Sequence, residues 1–335
     1  MAKGHKPRRG SRAYYPRKRA RSIVARVRRW PKIDKVMPLG FAGYKVGMVH
    51  VVGIEMNKNS PFYGQERVYP ATVLEVPPLR VVGVRVYASS FYGLKAIGEV
   101  WAPKLPEELQ RVFTVPGKEN YFEEQKRKIE EIRGKVKEVR LIVATQPRVT
   151  GLGKKKPEVF EIAVGGPPSE ALNFALERLG KEIDITEVFK EGDYTDVIAV
   201  TKGKGFQGVI KRFGVKEMPR WHKHRKGHRR IGSVGPQGPA IMFYTPFPGQ
   251  TGFHQRTEYN KRVLKIGDIS SENINPPGGW PHYGLIRTKF ILIEGSVPGA
   301  IKRLVKLRIP IRLHRAVEAP KVVYVSTQPW PQAVG

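Results

Sequence analysis

Positive charge is concentrated in two segments of this 335-residue chain, and this limits which parts can fold around a core. Residues 1–32 contain 13 Lys and Arg and no acidic residue, and residues 202–265 contain 15 Lys and Arg against two Glu. Each segment has a net charge of +13, so together they hold 26 of the 32 net positive charges. Because like charges at this density repel one another, we expect neither segment to form a core by itself.

The charge and the missing residue types limit the classes of function. A net charge of +32 favours a polyanionic partner, such as nucleic acid or an acidic membrane surface. The chain has no Cys, which excludes a disulfide scaffold, Cys-ligated zinc and thiol chemistry. No stretch reaches the roughly 18 apolar residues of a membrane-spanning helix, and no secretory signal follows the basic N-terminus. We therefore expect a cytoplasmic protein with no membrane partner, no cofactor and no small-molecule substrate.

The rest of the chain predicts a mainly β fold. Short runs rich in Val, Ile and Tyr alternate with Gly and Pro, which is typical of strands joined by turns. The predicted strands cover residues 41–52, 69–76, 79–87, 96–101, 196–200, 290–294, 304–309 and 322–326. Because they lie on both sides of the middle of the chain, they predict a β-barrel that closes across an insertion.

The insertion has a different pattern, which predicts an α+β fold. Helices are predicted at 119–133 and 169–179, and strands at 139–144 and 159–164. In the second helix, Ser169 is placed to cap the N-terminus and Gly180 to follow the C-terminus.

These patterns divide the chain into parts with different expected roles. We expect a basic N-terminal extension, a barrel in two sections, the α+β insertion, and a basic finger loop that projects from the barrel. Their ranges are 1–35, 36–103 with 188–335, 104–187, and 203–262.

A glycine-rich motif at residues 203–208 has the spacing G-x-G-x-x-G of dinucleotide-binding sites. Phe213 and Gly214 interrupt the helix that should follow, and no acidic residue stands about 20 positions further on. The motif therefore favours a lysine-bearing strand end at which the backbone approaches phosphate. A plain flexible turn is the alternative.

No metal site or catalytic set is predicted. His222, His224 and His228 are close in sequence, but the surrounding Lys and Arg would repel a cation. These rings are better suited to contact bases or phosphates, with a solvated surface run as the alternative. Ser233 lacks the surroundings of a catalytic nucleophile. We expect no enzymatic activity; the alternative is a free nucleic-acid-processing enzyme with basic substrate arms.

Aromatic residues alternate with the cations in both basic segments. Rings between cations favour RNA, whose unpaired bases stack on aromatic planes. Phe243 and Tyr244, in an apolar run, are the rings best placed to pack the base of the loop instead. A DNA-compacting protein would need neither these rings nor the insertion. The candidate RNA-binding residues are Arg8, Arg9, Arg12, Tyr14, Arg17, Lys18, Arg19, Arg21, Lys202, Lys204, Gly205, Lys211, Arg212, Trp221, His222, Lys223, His224, Arg225, Lys226, His228, Arg229, Arg230, His254, Arg256 and Lys261.

Several long segments closely resemble the universal large-subunit ribosomal protein L-three family. They are GYKVGMVHV at 43–51, the segment 196–214, the segment 221–261 and GSVPGAIKRLVKLR at 295–308. The N-terminal SRAYYPRKRA at 11–20 is similar to the archaeal form. The segments occur in the family's order and cover nearly the whole chain.

The resemblance implies a structural role. Members have a barrel related to those of translation factors, bind large-subunit 23S rRNA beside other ribosomal proteins, and act early in assembly. Their finger points toward the peptidyl transferase centre. The implied finger tip here is Pro236, Gln237 and Gly238, with Gln237 where many relatives carry Trp. A tip without that ring cannot stack in the same way.

Overall fold

A computed structural model describes residues 8–114, 121–235, 238, 240–313 and 318–326. The chain divides into two compact units. We call Met1–Ile23 with Val200–Arg256 the basic unit, and Val24–Ala199 with Thr257–Gly335 the sheet unit.

The described residues are mainly β, as predicted. The strands are β1 (Gly40–Ile54), β2 (Glu66–Glu75), β3 (Leu79–Ser90), β4 (Gly93–Trp101), β5 (Glu138–Ala144), β6 (Val159–Ala163), β7 (Glu182–Ile183), β8 (Tyr194–Val200), β9 (Gly203–Gln207), β10 (Gly249–Gly252), β11 (Gln255–Asp268), β12 (Lys289–Glu294), β13 (Leu304–Arg308) and β14 (Lys321–Val325). The helices are α1 (Tyr121–Glu131), α2 (Pro168–Glu177) and α3 (Val209–Phe213). No helix in the described part of the chain is long and apolar enough to span a membrane.

The larger sheet of the sheet unit has seven strands in the order β13-β8-β11-β12-β2-β1-β14, and β13 also pairs with β1. Strand β1 is long enough to pair with both β13 and β14. Its first part pairs with β13, as in Phe41↔Leu307, and its last part pairs with β14, as in Val52↔Tyr324. Alternate β1 side chains such as Phe41 and Val51 are buried in the core.

The second sheet has the order β4-β3-β5-β6, with β7 paired to β3. The sequence placed β3 and β4 with the barrel strands, but here they pair with strands of the insertion, as in Val84↔Leu141. The reason lies between β2 and β3, where Pro77 and Pro78 follow each other. Proline has no N–H for a sheet and a fixed φ, so the chain leaves the first sheet at this point.

The two α-helices of the insertion lie close to their predicted positions. Helix α1 covers Tyr121–Glu131, and residues 119–120 of the predicted helix lie outside the described residues. The predicted Ser169 cap is wrong: α2 begins at Pro168, and its N-cap Pro167 makes no side-chain cap hydrogen bond. Proline suits the first helical position because the missing N–H has no partner there. Gly180 has a φ of +80° beyond the helix end.

Charged groups inside the sheet unit are held by specific partners. The carboxylate of Glu55 accepts from both Nη atoms of Arg262 at 3.0 Å and from the Tyr69 hydroxyl at 2.9 Å. These hydrogen bonds, led by that from Arg262, lower the pKa of Glu55 to about 2. Lys306 instead places its Nζ 4.0 Å from the centre of the Phe160 ring, and burial lowers the pKa of Lys306 to about 7.

Candidate nucleic-acid interface

The two basic sequence segments meet in the basic unit, at the ring of Phe213. This ring ends the short helix α3 and is buried. The guanidinium carbon of Arg17 lies 4.3 Å from the ring centre, and Arg17 Nη1 donates to the Arg212 carbonyl at 3.2 Å. Neither segment was expected to form a core alone. Together the two segments bury the Phe213 ring, with the Arg17 guanidinium over it.

Arg212 holds the base of the loop together through backbone carbonyls. Its Nε donates to Gln250 at 3.1 Å, Nη1 to Phe247 at 2.8 Å and Nη2 to Arg17 at 3.3 Å. Burial, reinforced by the charge of Arg17, lowers the pKa of Arg212. Arg212 therefore uses its side-chain donors to shape the unit, and Arg17 adds one such hydrogen bond, to the Arg212 carbonyl.

A second contact joins the N-terminal segment to Tyr244. Arg8 Nη2 donates to the Tyr244 carbonyl at 2.6 Å, and the Tyr15 hydroxyl donates to the same oxygen at 3.1 Å. Arg12 lies over the Tyr244 ring, 4.0 Å from its centre. Phe243 meets Tyr15 edge to face but is 78% exposed. Of the two rings expected to pack the base of the loop, Tyr244 is thus the more enclosed.

His254 and Arg256 lie where β11 begins. The Nδ1 atom of His254 is 2.8 Å from the Lys18 carbonyl, and burial lowers the pKa of His254. The ring is therefore neutral at pH 7, with Nδ1 protonated to donate to that carbonyl. Arg256 lies over the Tyr14 ring at 4.7 Å, and burial also lowers its pKa. His254 thus positions Lys18.

The remaining part of the finger loop presents its cations outward. Glu217, the single acidic residue of the basic unit, contacts His228 at 2.7 Å and Arg229 at 3.1 Å. Trp221 is 67% exposed, with the Arg225 guanidinium 5.5 Å from the ring centre. The loop therefore offers a ring and several cations on its surface.

The backbone of the loop turns sharply after Trp221. His222 and Lys223 have φ values of +59° and +68°, a left-handed conformation that L-residues rarely adopt in succession. Such strain persists where surrounding structure or function requires it. After this turn, the Arg225 guanidinium lies beside the Trp221 ring.

The basic unit contains all the predicted RNA-binding residues except Lys261. Lys261 lies in the sheet unit and pairs with Glu258 at 3.0 Å. Pro236 and Gln237 of the implied finger tip lie outside the described residues, whereas Gly238 is exposed. The predicted residues that are exposed are Arg8, Arg12, Tyr14, Lys18, Arg19, Arg21, Lys202, Lys204, Gly205, Lys211, Trp221, His222, Lys223, Arg225, Lys226, Arg229 and Arg230.

The geometry does not match a dinucleotide site. The strand β9, which contains the glycine motif, pairs antiparallel with β10 in a two-stranded sheet. The helix α3 that follows has five residues, and Gly214 ends it with a φ of +64°. Within the described residues, no group of three or more His, Asp or Glu side chains is arranged to hold a metal ion.

Comparison with known proteins identifies the family. The family described as Ribosomal protein L3 matches residues 1–328. Three relatives are each named Large ribosomal subunit protein uL3. That of Pyrobaculum calidifontis is 55% identical, over 97% of this chain and 98% of its own. Those of Archaeoglobus fulgidus (51%) and Methanothermobacter thermautotrophicus (48%) align over 97% and 98% of this chain, and over 98% of their own chains. These matches confirm the resemblance found in the sequence: the chain belongs to the ribosomal protein L3 family.

Proposed function

We propose that this protein is a structural constituent of the large ribosomal subunit and binds 23S rRNA through its basic unit. The observation that carries this proposal is the charge of that unit. It holds 21 of the 61 Lys and Arg but one of the 29 acidic residues. The names of the relatives, all of them large-subunit proteins, support the same role.

The division of labour among the cations supports binding to RNA. Arg17 and Arg212 are engaged with carbonyls and set the shape of the unit. The exposed cations, such as Arg19 and Lys226, are available to neutralise phosphates. Exposed rings such as Trp221 supply planes on which unpaired bases stack.

The family supports the remaining parts of the proposal. The protein acts by binding and not by catalysis, lies in the cytoplasm within the large subunit, and has other ribosomal proteins as neighbours. Its finger loop is directed toward the peptidyl transferase centre, and it joins the subunit early in assembly. Gln237 at the tip contributes little to anchoring.

We also propose that the larger sheet closes into a barrel. Strand β1 pairs with β2 on one side and with β13 on the other. The remaining pairings lead from β2 through β12, β11 and β8 back to β13. These six strands therefore pair in a ring, and this pairing supports the proposal. A sheet closed in this way has no open edges.

Incorporation into ribosomal subunits tests the function. We would compare the full chain with a loop variant, Lys223→Glu, Arg225→Glu and Lys226→Glu. A control variant carries the same charge change in the sheet unit, at the exposed Lys58, Lys104 and Lys126. Wild type and control should sediment with large subunits in sucrose gradients, and the loop variant should not.

Two results would overturn the proposal. If the wild-type chain stays in the light fractions, it is not a subunit component, and the alternative of a free nucleic-acid-processing enzyme gains support. If the loop variant and the control incorporate equally, the basic unit does not anchor the protein.

A further inference from the structure

The hairpin between β3 and β4 carries two aromatic rings that the fold does not use. Phe91 and Tyr92 form its two-residue turn and are 96% and 95% exposed. All residues from 89 to 96 are exposed, whereas the earlier part of β3 is buried. Burying a large aromatic side chain normally stabilises a fold, and here neither ring is buried.

The turn itself does not require aromatic residues. Gly93 has a φ of +111°, and Ser90 Oγ donates to the Gly93 carbonyl at 2.8 Å. Small and polar residues are the usual choice at hairpin turns. The rings meet edge to face with centres 5.2 Å apart, so each keeps a free face. Their presence therefore points to a partner.

The charges around the hairpin favour one class of partner. Lys95 is the one charged residue between 86 and 97, and it is exposed. Glu138 is paired with Arg140 at 2.6 Å, and the segment before it, 133–137, adds the exposed Lys137 beside the hairpin. This segment is joined to β3 by the hydrogen bond from the Lys137 amide to the Tyr87 carbonyl at 2.8 Å. The two exposed lysines Lys95 and Lys137 complement a polyanion.

The size of the apolar surface also argues against a protein partner. Beyond the two rings, only Leu94 among residues 89–96 offers a large apolar side chain, and it is 44% exposed. Protein interfaces bury about 800 Å² per partner around an apolar centre. A nucleic-acid base needs a single ring plane and a nearby cation.

We propose that the hairpin tip is an RNA-binding element separate from the basic unit, in which Phe91 and Tyr92 stack on unpaired rRNA bases. Lys95 and Lys137 contact the adjacent phosphates. The inference rests on the rRNA binding proposed above. It adds a contact formed by the sheet unit, from a segment that sequence analysis did not single out.

Equilibrium binding of the full chain to deproteinised large-subunit rRNA tests the proposal. The variant is Phe91→Ser with Tyr92→Ser, which removes rings without packing partners in the core. The control is Phe62→Ser with Tyr63→Ser, a pair of half-exposed rings in another loop of the sheet unit. Loss of a stacked ring should lower affinity at least about fivefold per ring. Because no charge is removed, the slope of log K against log salt should stay the same.

Chemical probing of the rRNA in reconstituted subunits locates the contact. With the hairpin variant, one unpaired stretch should become more reactive, and with the control that stretch should match wild type. Unchanged affinity and reactivity would overturn the inference, as would a crosslink from Phe91 or Tyr92 to a ribosomal protein. Wild-type binding to rRNA with a steep salt dependence would still support the basic unit's role, so the two proposals fail separately.

Discussion

The basic unit and the sheet unit differ in the groups that contact their arginine side chains. In the sheet unit, buried arginines face carboxylates: Arg262 contacts Glu55 at 3.0 Å, and Arg308 contacts Asp196 at 2.6 Å. The basic unit has one acidic residue. There, guanidinium groups donate to carbonyl oxygens and lie on aromatic rings, as Arg17 does with Phe213.

This difference has an electrostatic consequence. A carboxylate cancels the charge of the arginine that it binds, whereas a carbonyl or a ring satisfies the geometry and leaves the charge in place. The basic unit therefore becomes ordered without losing its positive field. In the sheet unit, the charges of Arg262 and Arg308 are instead neutralised inside the fold.

The largest expected effect comes from removing exposed cations of the basic unit. If about ten cations neutralise phosphates, log K for rRNA should fall with log salt at a slope of roughly −7 to −9. Changing Arg12, Lys18, Arg19 and Arg21 to Gln should flatten the slope by about three. Filter binding at several salt concentrations measures it. An unchanged slope would show that the N-terminal segment does not contact phosphate.

Breaking a buried pair should destabilise the sheet unit instead. Glu55→Ala leaves Arg262 charged and buried, so we expect a loss of about 3–5 kcal/mol in the free energy of unfolding at pH 7. Because the pKa of Glu55 is lowered to about 2, its contribution is complete above the unfolded value near 4.5 and disappears as the pH falls toward 2. Denaturant unfolding of both proteins at neutral and acidic pH measures this. A loss that is the same at pH 3 would contradict the explanation.

Lys306 differs from the buried arginines of the sheet unit, because its ammonium lies on an aromatic ring. Its pKa is lowered to about 7, so its cost to folding is complete below pH 7 and disappears as the pH rises toward 10.5. Lys306→Met should raise stability at pH 7 by about 2–3 kcal/mol after loss of the ring contact. The gain in unfolding free energy should shrink by pH 10. Destabilisation at pH 7 would show that the ammonium supports the fold.

Trp221→Ala should affect RNA binding and leave folding unchanged. The ring is 67% exposed, and a stacked ring contributes about 1–3 kcal/mol. Reconstitution of subunits measures incorporation, and thermal unfolding of the isolated protein is the control. If the variant unfolds at a lower temperature, Trp221 is part of the folded core and its proposed stacking role is wrong.

The smallest effect is expected at the finger tip. Gln237→Ala removes a neutral amide from a Gly-Pro sequence, so incorporation should change by less than about 0.5 kcal/mol. Peptide-bond formation by the reconstituted subunits is the second readout, because the tip is proposed to point toward that centre. A block in incorporation would make the tip an anchor and contradict the proposal that Gln237 contributes little to anchoring.

Local pattern was sufficient to predict most strands but not their partners. Strand β1 lies within two residues of its predicted bounds, because its alternating Val and Tyr residues match a half-buried surface. Strand β11 was missed, since Gln255–Asp268 begins with charged and polar residues and is recognisable as a strand only beside β12. The placement of β3 and β4 depended on two prolines that redirect the chain.

The site was predictable in its residues and not in their roles. Counting charges identified both basic segments. It could not separate Arg212, which bonds three carbonyls, from Lys211 beside it, which is exposed. That separation depends on contacts between residues far apart in sequence. No run of charged residues surrounds the exposed pair Phe91 and Tyr92, so a count of charges does not identify it.

The contact between Arg17 and Arg212 also sets an order of events during synthesis. The two residues are 195 positions apart. At about 5–20 residues per second, a translating ribosome needs roughly 10–40 s to make the second after the first. Throughout that interval the N-terminal cations are present without the carbonyls and the ring that later hold them. The nascent chain therefore passes through a period in which nearby RNA can compete for this segment.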